Sequence, residues 1–153
     1  MDSSNLTAKR ITVFAGHYGS GKTNIAVNLA LYMKRQGIDT VIADLDIVNP
    51  YFRTKDSLER LKEEGIRLIS SEYANSNVDI PAIPQEMYSV VDDRMHHYIV
   101  DLGGDDRGAY ALGRYADKIN EEADYDMLFV FNKYRPLTPD AESALEVMRE
   151  IEE

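Results

Sequence analysis

The sequence contains no cysteine. That excludes a disulfide framework, a thiolate metal site and a cysteine nucleophile. Basic residues are scarce: 17 Lys and Arg against 27 Asp and Glu leave a net charge of -10. DNA or an anionic membrane as a main partner requires a basic face, so the balance argues against both. No apolar run approaches the ~20 residues of a membrane-spanning helix. Met1 to Arg10 are polar and lack the apolar segment of a signal peptide. Internal repeats and low-complexity segments are also missing. A soluble cytoplasmic protein is therefore expected. With 153 residues the chain can bury one real core. The expected organisation is a polar tail over 1–8 and a single domain over 9–153.

What is present is Gly16-His17-Tyr18-Gly19-Ser20-Gly21-Lys22-Thr23, which satisfies the phosphate-loop pattern G-x-x-x-x-G-K-[ST] at every fixed position. An apolar run, Ile11 to Ala15, precedes it and reads as a buried strand. The stretch from Asn24 to Met33 follows and reads as a helix. Strand, glycine loop and helix form the context the motif requires. Glycines let successive backbone N–H groups curl inward, and the helix start adds its positive dipole end. The predicted nucleotide contacts are Gly16 to Thr23 and Asn24. Lys22 would reach the β- and γ-phosphates, and Thr23 would place a hydroxyl on Mg²⁺. The alternative reading is a glycine-rich turn capping a helix with no ligand.

Acids follow at strand ends. Thr40 to Ala43 is a short apolar strand that runs into Asp44-Leu45-Asp46. In a parallel α/β sheet, ligand chemistry sits at the C-terminal ends of strands. Alternation puts both carboxylates on one side, where Asp44 would hold the magnesium shell and Asp46 would orient a water. An N-cap or a solvated loop pair is the plainer reading. Tyr98-Ile99-Val100 is a further strand, ending in Asp101. An acid there orients Mg²⁺ through water in phosphoryl-transfer sites. Asp101 to Gly104 also spells D-x-x-G, and Gly104 would bring a backbone N–H to the γ-phosphate. His96 and His97 are neighbours on a strand and face opposite ways, with no third metal ligand in view.

Between these motifs the periodicity alternates. A first helix spans about Gly21 to Gln36, with Ile25, Leu29 and Met33 repeating and Ala26 and Ala30 beside them. A second spans Lys55 to Glu64 with Leu58 and Leu61 inward, and Ile66 to Ile69 is a strand. Pro50 interrupts the chain before Tyr51, Phe52 and Arg53. Ser70 to Ile83 is an aperiodic loop. A helix opened by Pro84 carries Met87, Val90 and Val91. Asp106 to Lys118 reads as another helix, carrying Leu112, Tyr115 and Ala116, with Ile119 on the same side. Met127 to Phe131 is the most hydrophobic strand. Asn132-Lys133-Tyr134-Arg135 follows it; guanine-specific proteins use N-K-x-D there, and Arg135 can only donate where their aspartate accepts. Thr138-Pro139 would start a last helix with Ala141, Ala144, Leu145, Met148 and Ile151 on one face.

Five strands alternating with helices give an α/β fold, a doubly wound, mostly parallel five-stranded sheet of the P-loop NTPase type. The set G-H-Y-G-S-G-K-T, A-D-L-D-I-V-N-P and V-D-L-G-G-D resembles the CobQ/CobB/MinD/ParA group of P-loop nucleotide-binding proteins, over most of the chain from about Lys9. The resemblance implies a strand order of 3-2-4-1-5, ATP with Mg²⁺ as ligands, and homodimers that sandwich nucleotide. It departs in two places. Dimerising members carry K-G-G-x-G-K-T, and His17 occupies the place of the first lysine. Members also continue through further strands that supply adenine contacts, so a chain truncated at its C-terminal side is expected. The leading functional expectation is a slow ATPase acting as a nucleotide-dependent switch, with a protein partner unidentified. In that reading Lys22 and Asp46 serve catalysis, and Thr23, Asp44 and Asp101 serve the metal. The alternatives are a GTPase of the metallochaperone type, a small-molecule kinase or synthetase, and a non-hydrolysing nucleotide-binding module.

Overall fold

Short apolar runs that are hydrophobic on both faces belong in a parallel sheet covered by helices on both sides. The computed structural model describes residues 9–45, 55–70, 85–103 and 112–152, and its strands form such a sheet. They are β1 (Ile11–Ala15), β2 (Thr40–Leu45), β3 (Arg67–Ser70), β4 (His97–Leu102) and β5 (Tyr125–Phe129). The order is β3-β2-β4-β1-β5, and every pairing is parallel. This is the order the family resemblance implies. Every residue of β1, β2 and β4 is buried.

Helix α1 (Lys22–Arg35) and α2 (Lys55–Glu63) connect the first three strands. Phe14, Ile42 and Ile99 from the sheet pack against Ala26, Ala30, Leu31, Met33 and Leu61 on one face. On the other face Val13, Ala43 and Val100 pack against residues that follow β3 and β4. These come from a 3-10 turn at Gln85–Met87, from α3 (Tyr88–Asp92) and from α4 (Ala116–Glu122). Met87, Val90 and Val91 are buried there as the sequence predicts, with Leu112, Tyr115 and Ile119. The connection from β1 and that from β4 therefore cover opposite faces. Adjacent strands whose connections part in this way form a topological switch point, with a crevice beyond their C-terminal ends.

Several predicted details shift. Ala26, Ala30 and Met33 form the inward stripe of α1, while Ile25 is 45% exposed. The stripe rotates because Lys22 and Thr23 are themselves buried at the helix start, and positions three and four residues on must follow them. In α2, Leu61 is buried and Leu58 is exposed. The predicted helix over 106–118 lies partly outside the described residues; where it is described, a turn at Arg114 and Tyr115 separates residues 112–113 from α4. β5 starts two residues earlier than predicted and is the least covered strand, with its three central residues exposed. It is one of the sheet's two edges, and its register is set by β1 through the pairing of Ile11 with Tyr125. The last helix, α5 (Ala141–Glu152), starts later than Thr138. Its cap is Asp140, whose Oδ1 accepts from the Ser143 N–H at 2.9 Å, while the Thr138 hydroxyl donates to the Asn132 carbonyl at 3.1 Å. Ala144 is buried, whereas Leu145 is 47% exposed. The tail over 1–8, the Pro50 to Arg53 stretch and the loop from 71 to 83 lie outside the described residues.

At the opposite end of the sheet, Arg10 ties β1 to α3 and α4. Its guanidinium donates to both Glu122 carboxylate oxygens, at 2.6 and 2.5 Å, and to the Val90 and Asp93 carbonyls at 2.8 and 2.9 Å. Hydrogen bonding from Arg10 holds the Glu122 carboxyl below its ordinary range. His97 lies beside this network, buried, with its Nε2 3.2 Å from Thr12 Oγ1. Burial disfavours its cation and lowers its pKa from 6.5 to about 4. Between those values the unfolded chain takes up a proton that the folded one refuses. The stability linked to His97 is therefore complete above pH 6.5 and declines as the pH falls toward 4. Urea unfolding between pH 7 and 4 should show this loss, on the order of 2 kcal/mol. A His97→Gln variant should show a flatter profile over the same interval; an equal slope would place the proton uptake elsewhere.

Candidate functional site

The mouth of the switch point is built by the turn between β1 and α1. Three glycines there have positive φ: Gly16 at 143°, Gly19 at 76° and Gly21 at 96°. A Cβ placed on Gly16 would lie 2.1 Å from the Val130 carbonyl oxygen, so only glycine permits this approach. The residue that follows β5, the strand beside β1, thereby braces the loop at its root, where the Val130 N–H also donates to the Ala15 carbonyl at 2.8 Å. Within the loop the Ser20 N–H donates to the His17 carbonyl at 3.1 Å. Gly21 caps α1 in a left-handed conformation with no side-chain hydrogen bond, and no acid stands in the first turn. The opening N–H groups of a helix have no intrahelical partner. With no side-chain cap from Gly21 and with Lys22 beside it, that end of α1 suits an anion. Ser20 Oγ, buried without a hydrogen-bond partner among the described residues, is a further polar atom in this loop.

The acids stand where the strand-end argument puts them. Asp101 on β4 pairs in register with Phe14 on β1 and with Asp44 on β2. Phe14 faces α1, and residues side by side in a parallel sheet share a face, so both carboxylates face the start of α1. Thr23 Oγ1 donates to Asp101 Oδ2 at 2.5 Å. Asp101 is fully buried, and Thr23 and Asp44 are 8% exposed. A hydroxyl and two carboxylates form an all-oxygen donor set, which suits a hard cation such as Mg²⁺. Magnesium usually takes few protein ligands and fills its shell with water and phosphate oxygens. No group of three or more His, Cys, Asp or Glu able to hold a metal occurs among the described residues.

Of the residues the sequence singles out, the structure brings together Gly16, Gly19, Ser20, Gly21, Lys22, Thr23, Asp44 and Asp101. His17 is half-buried, Tyr18 is 65% exposed on the rim, and Asn24 is exposed on the first turn of α1. Asp46 and Gly104 lie outside the described residues. The sequence suggests for Arg135 only the base position of N-K-x-D. In the structure its Nε donates to the Gly19 carbonyl at 3.1 Å. The run Asn132 to Arg135 is visible in the sequence, but its contact across 116 positions is not.

The sequence matches the family described as the CobQ/CobB/MinD/ParA nucleotide binding domain over residues 11–152. The chain belongs to this family. Membership supports nucleotide binding as its general property. Among curated proteins none matches the sequence. Among solved structures, the fold is similar to that of a nucleotide-binding protein from Archaeoglobus fulgidus in complex with ADP, with a TM-score of 0.54 and 15% identity. The match covers 95% of this chain and 63% of the other, so the chain spans less than two thirds of that protein's length. No helix among the described residues is long and apolar enough to cross a membrane.

The glycine contacts make a comparison of two variants informative. Gly16→Ala forces a carbon into a backbone carbonyl and should cost at least about 3 kcal/mol. Gly21→Ala meets nothing within 4 Å, so only its backbone conformation resists, at roughly 1–2 kcal/mol. Denaturant unfolding should rank Gly16→Ala as the more damaging; the reverse order would mean that the Val130 contact does not set the loop.

Proposed function

We propose that this chain binds ATP with Mg²⁺ at the glycine loop and hydrolyses it slowly, as a nucleotide-dependent switch. The observation that carries the reading is the buried Thr23–Asp101 pair at a helix start that Gly21 leaves without a side-chain cap, beside Lys22. Loop amides and Lys22 would surround the β- and γ-phosphates and stabilise charge that builds up as the terminal phosphoryl group departs. Thr23, Asp44 and Asp101 would hold Mg²⁺, which supplies further neutralisation of phosphate charge. Asp46 would orient the attacking water, and Gly104 would offer its N–H to the γ-phosphate. Catalysis of this type rests on positioning and electrostatics, so it needs no nucleophilic side chain. ATP is favoured over GTP because Arg135 replaces the acid that accepts from guanine in N-K-x-D, and a guanidinium cannot accept.

Calorimetric titration is the direct test. Lys22→Ala should abolish ATP binding while the circular dichroism spectrum and a cooperative melt persist; unchanged affinity would overturn the site. Asp46→Asn should slow phosphate release by about 100-fold with little effect on binding. Equal losses would make Asp46 a metal ligand or a structural residue. Competition of GTP against bound ATP should leave ATP the better ligand, and a GTP preference would favour the metallochaperone-type GTPase. Phosphate release without an added acceptor separates a hydrolase from a kinase.

A further inference from the structure

Glycine gives the phosphate loop its shape but leaves it many conformations. Something outside the loop must hold the productive one before ligand arrives. The root is held by Val130 against Gly16. The crest is held by Arg135. Its Nε donates to the Gly19 carbonyl at 3.1 Å, and its guanidinium lies so close that a Cβ on Gly19 would sit 2.8 Å from both Cζ and an Nη atom. Arg135 is itself anchored by a tight turn. Its N–H donates to the Asn132 carbonyl at 2.9 Å, and its own carbonyl accepts from the Thr138 N–H at 3.2 Å. The Thr138 hydroxyl donates to the same Asn132 carbonyl at 3.1 Å, and Asn132 Oδ1 accepts from the Tyr134 N–H at 3.0 Å.

We propose that Arg135 is a positioning residue for the phosphates, fixing the Gly19–Ser20 peptide so that its carbonyl stays on the guanidinium. The proposal rests on the nucleotide-binding reading of the loop. Both ends of that peptide are engaged: the Gly19 carbonyl by Arg135, and the Ser20 N–H by the His17 carbonyl. A flip of this plane would break both bonds and turn the Gly19 oxygen toward the His17 carbonyl, so that the loop could not keep the shape that surrounds the phosphates. A charge-assisted hydrogen bond to the carbonyl opposes the flip. Order established before binding also lowers the entropy lost when ligand arrives. The residue that would read the base in a guanine-specific relative thus acts here on the phosphates.

The test is calorimetric titration of the full chain with ATP and with GTP, each with Mg²⁺, for the wild type, Arg135→Met, Arg135→Lys and Lys22→Ala. Arg135→Met keeps the aliphatic stem and should weaken both nucleotides by the same factor, about tenfold. Arg135→Lys or millimolar methylguanidine added to the Met variant should recover part of the loss. Wild-type affinity in Arg135→Met, while Lys22→Ala loses binding, would overturn the proposal and leave the site standing. Binding retained in Lys22→Ala would instead remove the nucleotide site itself. Unequal losses for ATP and GTP would mean that Arg135 touches the base, which also overturns the positioning role. A Met variant that no longer melts cooperatively, or a loss relieved by neither lysine nor methylguanidine, would assign Arg135 to the scaffold.

Discussion

The hydrogen bond from Thr23 to Asp101 joins the first turn of α1 to the tip of β4, two elements 78 positions apart in the chain. It fixes the rotation of α1 about its own axis. With Thr23 turned to the sheet, Ala26, Ala30 and Met33 must also face it. Two of those three are alanines, which lets the helix lie close to β1, β2 and β4. Backbone pairing of β2 with β4 sets Asp101 beside Asp44, so two carboxylates stand at the C-terminal ends of central strands while the residues below them are apolar. Site and core are therefore set by one helix orientation.

Burying a carboxylate is costly unless it is hydrogen-bonded or paired. Asp101 meets that cost with a hydroxyl donor on the first turn of α1. Strand order makes the arrangement reachable: β4 lies between β2 and β1, so the tips of β1, β2 and β4 meet at one place. The chain then returns from the other side through β5, and its continuation touches the loop twice, at Gly16 and at Gly19. The loop is held between β4 on one flank and the β5–α5 connection on the other. Glycine supplies the tight path, and its neighbours supply the rigidity that glycine lacks.

Arg10 and His97 stand at the opposite end of the strands. A guanidinium with four hydrogen bonds binds β1, α3 and α4 where no ligand chemistry is placed. His97 is kept neutral by burial beside it. Stability is thus sensitive to acid at the end remote from the phosphate loop.

The sequence by itself determined the elements whose cause is local. The glycine loop between an apolar run and a helix is legible because glycine spacing, Lys22 and Thr23 are contiguous. Asp44 and Asp101 are legible because each ends a short apolar run. The strand order was legible only through family resemblance, since periodicity does not say which strands are neighbours. Tertiary structure alone decided the rest. Ile25 and Leu58 satisfy helical spacing yet stay exposed, because the phase of each helix is set by what it meets and not by its own apolar count. Met127 and Leu128, from the most hydrophobic run of the sequence, lie in the edge strand β5 and stay exposed, because no element among the described residues covers them. Arg135 lies on Gly19 because β5 runs beside β1, a relation that no stretch of contiguous residues encodes.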